Sequence, residues 1–303
     1  MIDATSPNAA AGAMALATTK PRSLWSDAWR RLRRNKAALL GLTMIVILVL
    51  VAIFADVLAP YHYAEQHMDA VFKPVGTPGY PLGTDQLGRD LLSRLIYGAR
   101  ISLSVAFLAQ LLVLLIGLPI GVIAGSSARA VDNLLMRFTD IMYAFPDLLF
   151  VIIILSVLGR NLIFVPLAIG IVNWTTMARL VRGQILSLKE QDYVLAARAL
   201  GVPKSRIITR HLLPNTLTPV IVAVTLGIPQ YILLEATLSF IGIGAPPPMP
   251  SWGLMINDGF NSIFSFPHLV VLPGIAIAVT MLSFTFLGDG LRDALDPRAN
   301  ERR

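Results

Sequence analysis

The chain contains no cysteine, which excludes disulfides, zinc–thiolate sites and thiol catalysis. Charge is scarce as well. Only 14% of its 303 residues are Asp, Glu, Lys or Arg, against about a quarter in soluble domains. With 55% hydrophobic residues and a mean hydropathy of +0.68, this composition excludes an ordinary soluble enzyme, a disordered scaffold and a nucleic-acid-binding domain. The net charge of +7 falls in blocks between long uncharged runs and reads as a topology signal.

A membrane span needs about 20 mostly apolar residues. Residues 37–55, 101–128, 161–178, 212–234 and 259–288 hold no charge, and 141–159 is interrupted only by Asp147. Six helical spans are therefore expected, with their internal Gly and Pro tolerated as in membrane bundles. Placing both termini inside puts 20 of the 25 Lys and Arg on the inner side, as the positive-inside rule requires. The organisation expected is an inner tail with an interfacial helix over 1–36, a first span over 37–60, an external segment over 61–99, a membrane domain over 100–290 and an inner tail over 291–303. Residues 1–20 read as a disordered tail. Trp25, Ala28, Trp29 and Leu32 recur at helical spacing among arginines, giving a short helix on the inner leaflet.

The longest inner segment, Arg179 to Leu213, carries its own order. Ser187 and Glu190 form a capping-box pattern; Tyr193, Ala196, Ala197 and Leu200 follow at i, i+3, i+4 and i+7, one apolar face. Gly201 suits a helix stop and Pro203 the first turn of a second helix. This predicts a bent helical pair with a small knob, shaped either to enter a groove in another protein or to pack on the inner ends of the spans.

Leu195-Ala196-Ala197, three residues, Gly201, nine residues, His211, one residue and Leu213-Pro214 resemble the coupling-loop signature of ABC importer permeases, with Leu195 in place of Glu and His211 in place of Ile. Leu82–Asp85, Gly88–Asp90, Tyr97–Arg100, Glu235–Ala236, Pro247–Gly253 and Gly288–Pro297 are similar to the C-type permeases of dipeptide, oligopeptide and nickel importers. The resemblance implies an all-α membrane protein: six transmembrane helices in a type I importer bundle with a cytoplasmic coupling helix. It implies a prokaryotic plasma-membrane subunit that imports short peptides, with nickel or another small solute as the alternative cargo. The implied partners are a B-type sister permease, two ATP-binding subunits, an external solute-binding protein and the bilayer. Loop 187–214 would meet the ATPase through Glu190, Asp192, Tyr193, Ala196, Ala197, Arg198, Leu200, Gly201, Arg206, Arg210, Leu213 and Pro214. No Gly-Lys pair occurs, so the chain lacks a phosphate-cradling Walker loop and is expected to be neither an enzyme nor a cofactor carrier. The competing classes are an ion-coupled secondary transporter using Asp147 or Glu235 as a relay, and a membrane-embedded enzyme, for which no catalytic constellation is spaced.

Several groups admit two readings. Asp140, Asp147 and Glu235 lie in or near spans and serve either structure or the transport path, with Asp147 expected in the first turn after Pro146. Pro246–Pro250 reads as a stiff strut or a plain turn, with Trp252 as an interfacial anchor. Asp90 and Arg94 are spaced for an i, i+4 pair. His62, Glu65 and His67 read as an ordinary loop, because their spacing puts no two ligands on one helical face; His268 reads as a core or interface residue.

Overall fold

A computed structural model describes residues 24–159 and 161–295. The expected tail over 1–20 and the closing residues from Asp296 onward lie outside them. The described secondary structure is helical apart from two isolated β-bridges. In chain order the helices are α1 (Leu24–Leu32), α2 (Lys36–Ile53), α3 (Ala55–Leu58), α4 (Leu91–Ser126), α5 (Arg129–Tyr143), α6 (Asp147–Leu158) and α7 (Phe164–Leu188). They continue with α8 (Asp192–Ala199), α9 (Lys204–Ile207), α10 (Leu213–Phe240), α11 (Trp252–Phe260) and α12 (His268–Leu295).

Five helical stretches are long and apolar enough to cross a bilayer: α2, α4, α7, the run Lys204–Phe240 and α12. The run Lys204–Phe240 joins α9 to α10 through one π turn, Ile208–Leu212. The sixth expected span, over 141–159, is broken: α5 and α6 meet at 84° across Ala144–Pro146. Pro146 has no N–H to continue α5 and disfavours helical geometry at Phe145, so the bend falls where the sequence chemistry puts it.

The bundle is built around α4 and α7. Gly117, Gly121 and Gly125 form a groove one side chain wide; a Cβ at Gly121 would come within 2.6 Å of the Ala178 carbonyl oxygen and Val181 Cβ. Gly170 returns the contact against Leu112. Small residues four apart let two backbones approach and maximise dispersion contact where lipid supplies no hydrophobic drive. Because 112 meets 170 and 125 meets 185, α4 and α7 run in the same direction, and the chain crosses back between them through α5 and α6. Gly227 on α10 faces Gln110, and Glu235 bonds Ser102, so α10 runs antiparallel to α4. Gly290 of α12 lies against Ala38 and Leu32. Together these contacts put α1, the start of α2, the end of α12 and the α8–α9 elbow at one end of the bundle.

Three boundaries differ from expectation. Helix α7 continues ten residues past Ala178 and carries Arg179 and Arg182, which pair with Asp140 (2.8 Å) and Asp132 (2.5 Å) on α5; the local pairing makes charge tolerable in the helix. Gly259 and Phe260 end α11 instead of opening the last span, which starts at His268. Helix α1 forms, but Ala28 and Leu32 pack on the end of α12 around Ala294, so part of the stripe expected to meet lipid meets protein.

Candidate functional site

The elbow forms where α7 stops. Ser187 is still inside α7, so the expected capping box does not form; the chain bends at Lys189–Gln191, with Glu190 exposed, and Gln191 caps α8 without a side-chain bond. Asp192 stands in the first turn, where the helix dipole favours an acid. The stop is as expected: Gly201 takes φ +76°, its N–H bonds Arg198 O (3.0 Å), and Val202 N–H bonds Ala197 O (3.1 Å). This is the Schellman arrangement, which a β-carbon at the left-handed position would strain. Pro203 sits one position earlier than expected, as the N-cap of α9.

The predicted apolar face divides in two. Val194 (0% exposed) and Ala197 (8%) point inward, and Val194 joins Ile207 in the main core, with Val202 packed against it. Tyr193 (43%), Leu195 (41%), Ala196 and Leu200 (84%) point out. Arg198, Arg206 and Arg210 are exposed around them. The sequence pattern missed Val194, which anchors the knob, because an i, i+3, i+4 stripe does not say which of its edges meets the protein. Leu213 and Pro214 open α10. Thr216 and Asn215 donate to the carbonyls of Leu212 (2.8 Å) and His211 (2.6 Å), so the elbow runs without a break into α10. Tyr193, Leu195, Ala196 and Leu200 thus form an outward knob among exposed arginines, continuous with a spanning helix.

The opposite end of the bundle is tied internally. Asp85 accepts from Arg89 (2.7 Å) and Arg94 (2.5 Å), and both arginines also reach Asp258 (2.9 Å each). Asp90 does not pair with Arg94; it caps α4 through Ser93 N–H and Oγ, both 2.7 Å. Capping engages the Asp90 carboxylate with the first turn of α4, which leaves Arg94 to Asp85 of the loop and Asp258 of α11. Asp258 was not anticipated, although it is the lone acidic residue between Glu235 and Asp289.

Trp252 is buried, 1% exposed, its Nε1 donating to Leu95 O at 3.1 Å; it fills the space left by Gly98 and is a core residue instead of an interfacial anchor. Glu235, 0% exposed, bonds Ser102 (2.9 Å) and Ser239 (2.6 Å), whose oxygens in turn accept from the backbones of Trp252 and Ala245. Pro246–Met249 makes a turn closed by Met249 N–H to Pro246 O, 3.1 Å. His67 pairs with Glu65 (3.3 Å) and edges onto Tyr61 and Tyr80, and His62 packs on Tyr63. Gly88 holds φ +69° with His67 O so close that any side chain would collide.

The helical membrane architecture, with an outward elbow at one end and an internally bonded cap at the other, defines a polytopic α-helical membrane protein. The chain belongs to the family of binding-protein-dependent transport system inner membrane components, the transmembrane part of ABC importers, whose model matches residues 117–301. Residues 23–74 match the N-terminal TM domain of oligopeptide transport permease C. The oligopeptide transport system permease protein OppC of Bacillus subtilis (strain 168) is 43% identical over 279 residues, covering 92% of this chain and 91% of the relative. The dipeptide transport system permease protein DppC of Alkalihalophilus pseudofirmus is 44% identical over 276 residues, 91% of this chain and 90% of its own length. Among solved structures, the MetNI methionine ABC transporter in an inward-facing form has TM-score 0.55 at 18% identity, covering 68% of this chain and 98% of that one; this likeness concerns the fold.

Proposed function

We propose that this chain forms half of the pathway through which a prokaryotic ABC importer takes up short peptides across the plasma membrane. A B-type sister permease supplies the other half, two ATP-binding subunits supply the energy, and an external solute-binding protein delivers the cargo. Both termini and the α8–α9 elbow lie on the cytoplasmic side, consistent with the excess of Lys and Arg in those segments. The peptide cargo is supported by the names of the relatives.

The observation that carries the reading is the outward face of Tyr193, Ala196 and Leu200 on a helix rooted in the core by Val194. A solvent-exposed Leu at 84% on a short, rigid helix is an anchor for a hydrophobic groove in a partner. When ATP closes the paired ATPases, the groove carries the elbow with it, and the unbroken run Lys204–Phe240 passes the displacement into the bundle. Exposed Glu190, Asp192, Arg198, Arg206 and Arg210 set register at the rim of this contact.

The test uses the assembled importer. Leu200→Asp and Ala196→Glu should abolish ATP-driven peptide uptake while the chain still inserts and remains bound to its sister permease. Ala197→Glu is a poorer probe, because it also buries a charge beneath the elbow. Wild-type uptake by both exposed-face variants would defeat the coupling role. Uptake driven by a proton gradient without ATP would favour a secondary transporter.

A further inference from the structure

The broken span leaves one acidic group unaccounted for. Helix α6 has 12 residues and rises about 18 Å, short of the ~30 Å hydrocarbon layer. Its far end leads through residues 159–163 to the start of α7, at the end of the bundle away from the elbow. Asp147, the first residue of α6, therefore stands inside the layer.

The neighbouring acids are spoken for, since Arg182 holds Asp132 and Arg179 holds Asp140. Asp147 is exposed and has no hydrogen bond or ion pair among the described residues. A bare carboxylate facing hydrocarbon is costly, and such groups in membrane proteins line water-filled routes or meet a counter-charge. The setting supplies the rest of a cation site. Phe145 is 53% exposed with its ring 5.4 Å from that of Phe150. Broken helices at membrane depth are also where transporters place their binding groups. A carboxylate beside aromatic faces is the chemistry that recognises an ammonium group.

We propose that Asp147, with Phe145 beside it, receives the ammonium group of a peptide in transit, so that the α5–α6 bend is the substrate-contact point of this subunit. The ligand named here rests on the peptide-import reading above.

The test uses the complete importer in proteoliposomes, with binding protein outside and ATP reaching the nucleotide sites. With saturating dialanine, Asp147→Asn should lower the uptake rate at least tenfold, and Asp147→Glu should stay near wild type. Both should melt with the wild type, because Asp147 has no internal partner to lose. An N-acetylated dipeptide carrying a lysine side chain identifies the source of the ammonium: Asp147-dependent uptake assigns the side chain, and dependence confined to free N-termini assigns the terminus.

Asp147→Cys adds a second readout, because the chain has no other cysteine. A cationic methanethiosulfonate should label it from water, and dialanine should slow the labelling. Full-rate uptake by Asp147→Asn, or no labelling of the Asp147→Cys chain, would overturn the proposal. Wild-type liposomes that take up no peptide would instead sink the peptide reading, and the identity of the ligand with it.

Discussion

The two ends of the bundle handle polar and apolar groups in opposite ways. At the elbow, Leu200 and Tyr193 are turned outward and arginines stand exposed around them. At the far end, Arg94 is 1% exposed and shares Asp85 and Asp258 with Arg89, Trp252 is sealed behind Gly98, and Glu235 is enclosed by serines. A surface that leaves large apolar side chains in water is incomplete without a partner. At the far end the buried arginines find carboxylates within the same chain. One end presents apolar side chains outward, and the other keeps its charges and its tryptophan inside.

The comparison breaks most readily at the far end. Asp85→Ala strips Arg94 and Arg89 of a shared carboxylate and leaves only Asp258; loss of about 3 kcal/mol of stability is expected, read as a lower unfolding temperature in detergent. A smaller effect is expected in the stem joining the ends. Gly121→Val inserts carbon within 2.6 Å of the backbone of α7, an overpacking that costs about 1–3 kcal/mol and should appear in the same melt.

At the elbow the sign of the comparison reverses. Leu200→Asp should shift stability by no more than about 0.5 kcal/mol while peptide uptake is lost; a large loss of stability would mean that the elbow is held by the chain itself.

The smallest effect sharpens the picture at the far end's margin. Hydrogen bonds from Arg100 and Tyr97 hold the Asp56 carboxyl below its ordinary range. A lowered folded value stabilises above the unfolded value, near pH 4, and that contribution disappears as pH falls through the lowered one. Because Asp56 is exposed, Asp56→Asn should only flatten the acid limb of the stability profile below about pH 4.

Local chemistry was legible to the extent that it depends on near neighbours. The Gly201 stop and the placement of Asp147 in the first turn after Pro146 follow from backbone preferences a few residues long. The glycines of α4 were visible, but their partners were not: nothing in Gly121 names Ala178. Trp252 was misjudged because aromatic side chains next to a proline turn suit both a membrane boundary and a core. The Asp90–Arg94 spacing misled because helix capping by Asp90 and the distant Asp258 outcompete an i, i+4 pair.

The apolar spans, their order, the blocks of basic residues between them and the turn chemistry of the elbow could all be read from the residues alone. These depend on transfer energies and dihedral preferences that act residue by residue. Packing settled which edge of α8 faces out, that the third crossing is bent, and that four charges from two distant stretches meet as one cluster. Those outcomes rest on contacts between residues up to 169 positions apart, whose energy exists only after the helices have packed.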